Sequence, residues 1–161
     1  MTDHAAWNDE KAAALIIAQV AALGARQASL LPLLQALQER FGYVDARAIV
    51  PIAKALNISQ AEIHGVTSFY KDFRTAPPGR HHLQLCQAEA CQSVGARELS
   101  RHACARLKLG LGETSADGAL SLEAVYCLGH CAAAPAALVD GQPVARLDRA
   151  RLDEILDRIA P

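Results

Sequence analysis

The stretch 81–131, HHLQLCQAEACQSVGARELSRHACARLKLGLGETSADGALSLEAVYCLGHC, decides how this chain folds, and it holds all five of its cysteines. Four of them fall into two short pairs: Cys86 and Cys91 flank four residues, and Cys127 and Cys131 flank three. His82 to Cys86 reads as a short strand that ends on the first cysteine. Ala119 to Tyr126 alternates enough to be a second strand, ending just before Cys127. Between the strands, Ser93 to Leu109 places Leu99, Ala103 and Leu107 on one side and Arg97, Arg101 and Lys108 on the other, as an amphipathic helix does. Gly110 to Gly118 is a turn-rich connection. Strands that share a sheet edge can deliver both cysteine loops to one place, so this β-α-β pattern predicts a single four-thiolate site.

Four thiolates suit either tetrahedral zinc or an iron–sulfur cluster. Zinc knuckles usually use a two-residue gap, and a thioredoxin-type dithiol uses Cys-x-x-Cys, which neither pair has. Cys104 stands alone one turn from Ser100 and Leu107 and reads as an inert thiol in the helix's packed side. His130, between two candidate ligands, could hydrogen-bond to a sulfur or replace one as in Rieske centres. His81 and His82 read as surface residues, while Glu89 and Arg97 read as solvated charges or partner contacts. Cys91 is expected just before the helix that opens near Ser93, where the dipole favours a thiolate. Gly95 and Gly129 are expected to let backbone N–H groups approach sulfur, and Ala88, Ala90 and the alanines at 132–134 to wall a dry pocket.

Outward from this region, Asp140-Gly141 between Ala136–Val139 and Val144–Arg146 is a hairpin signal. Asp148 caps a last helix with Leu152, Ile155, Leu156 and Ile159 on one stripe. The second half thus reads β-α-β-β-α. Upstream, the chain reads as consecutive helices. Asn8, Asp9 and Glu10 put N-cap chemistry before the apolar run Ala12 to Leu23, which Gly24 can end. Leu30, Leu33, Leu34, Leu37 and Phe41 form the stripe of a second helix, with Pro32 in its first turn and Gly42 at its close. Asp45 can cap a third, running through Leu56, which Pro51 kinks or whose start it shifts. Ser59-Gln60-Ala61-Glu62 is a capping box for a fourth, with Ile63, Val66, Tyr70 and Phe73 following. Ala76-Pro77-Pro78-Gly79 breaks the pattern, and we place a domain boundary there, separating 1–76 from 77–161.

The whole-chain balance narrows the partners. A formal net charge of -1 over 161 residues gives no general attraction to nucleic acid or anionic lipid. IAKALNISQAEIHGVTSF resembles a helix-turn-helix, so an Fe-S or zinc-containing DNA-binding regulator is one alternative. Its second helix, Gln60 to Tyr70, carries no lysine or arginine to neutralise phosphate. The apolar run near the start is too short to span a bilayer, and Asp3, Asp9 and Glu10 stand where a secretory leader would be basic. A cytoplasmic chain without nucleic acid or membrane insertion is expected. There, thiols serve metal ligation rather than structural disulfides.

The two cysteine pairs, together with GVTSFYKDF, PPGRHHLQLC and GETSADGALSLEAVYCLGHC, resemble the thioredoxin-like [2Fe-2S] subunits of NADH dehydrogenase-type modules. ALNISQAEIHGV, CQAEACQSVGA and VYCLGHCA look most like the gamma subunit of soluble NAD-dependent formate dehydrogenase. Sister subunits occur in NADH:quinone oxidoreductase and in NAD-reducing hydrogenases. The resemblance implies an α+β fold, in which an N-terminal helical bundle precedes a thioredoxin-like [2Fe-2S] ferredoxin domain on a small mixed sheet. It implies that Cys86, Cys91, Cys127 and Cys131 ligate one [2Fe-2S] cluster and that no residue here is catalytic. It also implies that helices within 1–76 dock on an FMN- and NAD-binding beta-type subunit. Formate would be oxidised at a molybdenum or tungsten cofactor in a larger alpha-type subunit.

Overall fold

The computed structural model describes residues 4–159, which divide into two compact units, 4–77 and 78–159. The first is wholly helical: α1 Asp9–Leu23, α2 Leu30–Phe41, α3 Ile49–Leu56 and α4 Gln60–Phe69. Asn8 caps α1 by accepting the Lys11 N–H at 2.9 Å, and Gly42 closes α2 in the left-handed conformation. Asp45 caps a 3₁₀ turn, Ala46–Ala48, so that α3 begins only at Ile49, with Pro51 in its first turn. Proline thus moves the helix start rather than kinking its middle. The capping box of α4 is complete, with Ser59 Oγ accepting from the Glu62 N–H while Glu62 accepts the Ser59 N–H. The core is aliphatic around Leu33, Leu34, Leu37, Ile52 and Ile63, and Trp7 packs on Phe41 with ring centroids 4.7 Å apart. Only Ala12 and Ile16 of the apolar run in α1 are buried, and Ile17 is 68% exposed.

The second unit is a five-stranded mixed sheet in the order β2-β3-β1-β4-β5, with helices packed against it. Its elements are β1 His81–Cys86, α5 Glu89–Gln92, α6 Ala96–Leu107, β2 Glu113–Thr114, β3 Leu120–Val125, β4 Ala137–Val139, β5 Gln142–Val144 and α7 Arg149–Ile159. Alternation sets the two faces. Leu83, Leu85, Leu120 and Leu122 pack with Ala103 of α6 and with Leu152, Ile155 and Leu156 of α7, whereas Gln84, Ser121 and Glu123 point the opposite way. β1 and β3 run parallel, with Cys86 beside Val125, and β1 also pairs antiparallel with β4. The β4–β5 turn has Asp140 at φ 52 and Gly141 at φ 79, the positive pair a type I′ hairpin needs. Asp140 then accepts from His81 Nδ1 and from the His82 N–H, both at 2.8 Å, which ties the hairpin to the start of β1. His81 and His82 are therefore half-buried structural partners, with His82 Nε2 2.9 Å from Glu123, rather than free surface residues.

The fold is α+β, as expected, and the boundaries differ in four places. The fourth helix ends at Phe69 with Tyr70 in extended backbone as its C-cap, so Tyr70 and Phe73 of the expected stripe lie beyond it. The interval read as one helix from Ser93 holds two: the four-residue α5, then α6, which starts at Ala96 behind Gly95 at φ 98. β2 lies inside the connection read as turns. β5 ends at Val144 instead of starting there, because a two-residue hairpin leaves the return strand no room to begin later.

Candidate metal centre

The parallel register of β1 and β3 is what builds the site. It aligns the carboxyl ends of both strands, so Cys86 closes β1 while Cys127 follows β3 by two residues. The Gln87 N–H continues that ladder to the Val125 carbonyl at 2.7 Å, and the Cys86 N–H reaches Ala136 O at 3.1 Å on the other side. Cys86 and Cys91 are each 2% exposed and form a small buried cluster with Ala96 and Ala136. Cys127 and Cys131 are exposed, and their sulfurs stand 3.7 Å apart. Two thiolates on one tetrahedral ion at about 2.3 Å each would lie about 3.8 Å apart. The outer pair is therefore already spaced to share one metal.

The inner pair is held by backbone donors. Burial works to raise the Cys86 thiol above its ordinary value. It is outweighed by the N–H groups of Ala88, Cys127 and Leu128 and by the Cys91 thiol, and Cys86 is held below that value. Cys127 has φ 84, uncommon for a residue with a side chain. That turn aims two successive N–H groups, its own and that of Leu128, at the Cys86 sulfur, as backbone nests do for anions. Cys91 is raised, first by burial and then by its hydrogen bond with Cys86, against the Ala136 N–H. Cys131 is raised by the hydrogen bond and charge of Cys127. One loop's donors thus act on the other loop's sulfur, and the four thiols form one electrostatic group.

Among the described residues, no three His, Cys, Asp or Glu side chains converge on a single point that one ion could occupy. The sulfurs are arranged as an inner buried pair and an outer exposed pair, a set of four thiols whose chemistry suits a thiolate-bound metal centre. His130 turns Nδ1 to the Leu128 carbonyl at 2.8 Å, a contact within its own loop. Cys104 is half-buried against the α6–α7 core.

Two sequence expectations about the surroundings are corrected. Cys91 lies inside α5, and α6 begins five residues later, so no long helix opens directly onto this sulfur. Among the protein's own atoms, a Cβ at Gly129 would meet nothing within 4 Å, and one at Gly95 only Glu98 Oε2 at 4.0 Å. Both glycines serve positive φ, at 98 and 75. The pocket is not dry on all sides, since Cys127, Cys131, Ala132 and Tyr126 are exposed, Tyr126 by 76%. Gln87 and Ser100 are buried polar residues of the site with no motif of their own, and the Gln87 amide bonds both Ser100 Oγ and the Cys86 carbonyl. A polar residue directly after a candidate ligand was their only signal.

A parallel β-α-β frame ending on two cysteine loops, with backbone donors trained on the inner sulfur, defines a ferredoxin-type domain. The family is particular: this chain belongs to the thioredoxin-like [2Fe-2S] ferredoxins, whose family model matches residues 14–160. It is 37% identical over 132 residues to NADH-quinone oxidoreductase subunit 2 of Thermus thermophilus, covering 81% of this chain and 73% of that protein. It is 26% identical over 141 residues to the NADP-reducing hydrogenase subunit HndA of Solidesulfovibrio fructosivorans, covering 88% and 82%. Among solved structures, an NAD+-reducing [NiFe]-hydrogenase in the air-oxidized state superposes with a TM-score of 0.68 at 32% identity, over 81% of this chain. This chain spans only 22% of that hydrogenase chain. No described helix is long and apolar enough to cross a membrane.

Proposed function

We propose that this chain is an electron-transfer subunit of an NAD-linked oxidoreductase, holding one [2Fe-2S] cluster on Cys86, Cys91, Cys127 and Cys131. The observation that carries this reading is the convergence of the two cysteine loops, with the outer sulfurs 3.7 Å apart and the N–H groups of Cys127 and Leu128 on Cys86. A bound cluster supplies reversible one-electron storage. The chain's own residues do the rest. Cys86 and Cys91 anchor the inner side away from water, and the N–H groups of Ala88, Cys127, Leu128 and Ala136 favour negative charge on their sulfurs. Cys127 and Cys131 present the outer side to solvent, where a redox partner can approach.

For the surrounding complex, the names of the relatives favour a module of NADH-quinone oxidoreductase or of a pyridine-nucleotide-reducing hydrogenase. Membership of a formate dehydrogenase, as its gamma subunit beside an alpha-type molybdenum or tungsten subunit, has motif resemblance behind it alone. In each version the immediate neighbour is an FMN- and NAD-binding beta-type subunit, docked on helices within 1–76, in the cytoplasm.

The test is quantitative metal analysis on protein purified without oxygen. We expect iron and acid-labile sulfide at about two each per chain, with visible absorbance lost in Cys86→Ser and Cys131→Ser. A colourless protein holding one zinc would end this reading. Native copurification separates the complexes: a nickel-iron subunit, a membrane arm, or a molybdenum subunit with formate-dependent NAD reduction each names a different one.

A further inference from the structure

We propose that Gln87 is the positioning residue of the inner thiolate pair, acting together with Ser100; this rests on the reading of the four cysteines as cluster ligands. Gln87 follows Cys86 directly and is 9% exposed, and Ser100 is 4% exposed. Gln87 bonds to a separate part of the site frame through each of three groups. Its N–H donates to Val125 O at 2.7 Å, on the strand that leads into Cys127. Its carbonyl accepts from Gln92 Nε2 at 2.6 Å, and Gln92 follows Cys91. Its side-chain amide donates to the Cys86 carbonyl at 3.0 Å and to Ser100 Oγ in α6 at 2.6 Å, with Ala96 O at 3.5 Å.

One residue therefore ties the first cysteine to the second, to the strand behind the third, and to the helix that covers them. The buried polar residues among those described are Ser29, Thr67, Gln87, Ser100 and Ser121, so two of five meet behind Cys86. An apolar side chain would fill that space without the cost of desolvating an amide. What the amide adds is direction. Its bond to the Cys86 carbonyl fixes the peptide plane directly after the ligand, and the Gln92 bond to the Gln87 carbonyl fixes the next plane, which carries the Ala88 N–H that meets the Cys86 sulfur. Partners that orient metal ligands typically matter by about 10–100-fold in metal retention.

The test uses the full chain with its cluster, comparing Gln87→Met, which keeps shape and loses the donors, with Ser100→Ala. The control is Ser121→Ala, a buried serine bonded to Thr114 and Gly79 instead. The readouts are the rate of iron loss to a ferrous chelator, the electron paramagnetic resonance line shape of the reduced protein, and thermal stability. We expect Gln87→Met to release iron about 10–100-fold faster with altered g values. Ser100→Ala should move both readouts in the same direction by less, while Ser121→Ala lowers stability and leaves the line shape alone. The proposal is overturned if Gln87→Met keeps the wild-type line shape and release rate, or if Ser121→Ala loses iron as fast at equal stability. Should Gln87→Met fail to fold, an unchanged line shape in Ser100→Ala overturns it instead. The iron and sulfide content of the wild type judges the ligand reading separately, because the inference concerns only the ratio of variant to wild type.

Discussion

Gly79 is a residue whose role is visible only in three dimensions. A Cβ built there would lie 2.6 Å from the Leu120 carbonyl carbon and 2.7 Å from the Ser121 nitrogen, and the Gly79 N–H donates to Ser121 Oγ at 2.7 Å. Both intruded atoms are backbone of β3, a strand paired on both sides, so the sheet itself must shift to admit a methyl group. We expect Gly79→Ala to destabilise the chain by about 1–3 kcal/mol, as overpacking does; chemical denaturation followed by circular dichroism measures it, and an unchanged midpoint would refute the close approach. From sequence, Gly79 was one letter of a Pro-Pro-Gly breaker, because the residue it touches lies on a strand paired far along the chain. The cysteines differ in legibility for the same reason. Spacing alone groups Cys86 with Cys91 and Cys127 with Cys131. The donors that hold Cys86 are main-chain N–H groups, and no letter of a sequence marks which carbonyls or N–H groups a fold will aim inward. Gln87 is the intermediate case, a polar letter whose burial depends on a helix that starts nine residues later.

Elements were legible wherever they carry their own local signal. The capping box at Ser59 and Glu62 is the clearest, and its reciprocal bonds form at 3.2 Å and 2.8 Å. Replacing Ser59 by alanine leaves the Glu62 N–H without its acceptor in the first turn of α4. The expected cost is about 1 kcal/mol, read as a lower denaturation midpoint with far-ultraviolet helicity retained before the transition. A loss within error would mean that water caps the helix equally well. The amphipathic stripes of α2 and α7 were equally readable, since every leucine or isoleucine assigned inward there is buried. Short elements were not. The four-residue α5 and two-residue β2 hold too few side chains to show a period; α5 exists because Gln92 and Ser93 return hydrogen bonds to Ala88 and Glu89. The parallel pairing of β1 with β3 is legible in the sequence only through the need to unite the cysteines. The chemistry located the topology there, not the reverse.

At the scale of the molecule, the two units have separate cores, one of helices around Leu34, Leu37 and Ile52, the other around the sheet. Every group assigned to the metal centre belongs to the second: the four cysteines, the N–H groups of Ala88, Leu128 and Ala136, and the Gln87–Ser100 pair. The helical unit supplies none of them. A fragment starting at Pro78 should therefore hold its cluster alone, with the visible absorbance and paramagnetic signal of the full chain. A domain of that size buries proportionally little surface and is marginal without a cross-link. Four thiolates from two distant loops are such a cross-link, because a ligand bound only by the folded state stabilises it by mass action. Stripping iron from the fragment should thus lower its unfolding temperature by several degrees, since about 1 kcal/mol corresponds to about 4–8 °C in a domain this small. Scanning calorimetry of the loaded and stripped fragment measures the difference. A fragment that cannot be loaded at all, while the full chain can, would show that the helices complete the site, and the division of labour drawn between the units would fall.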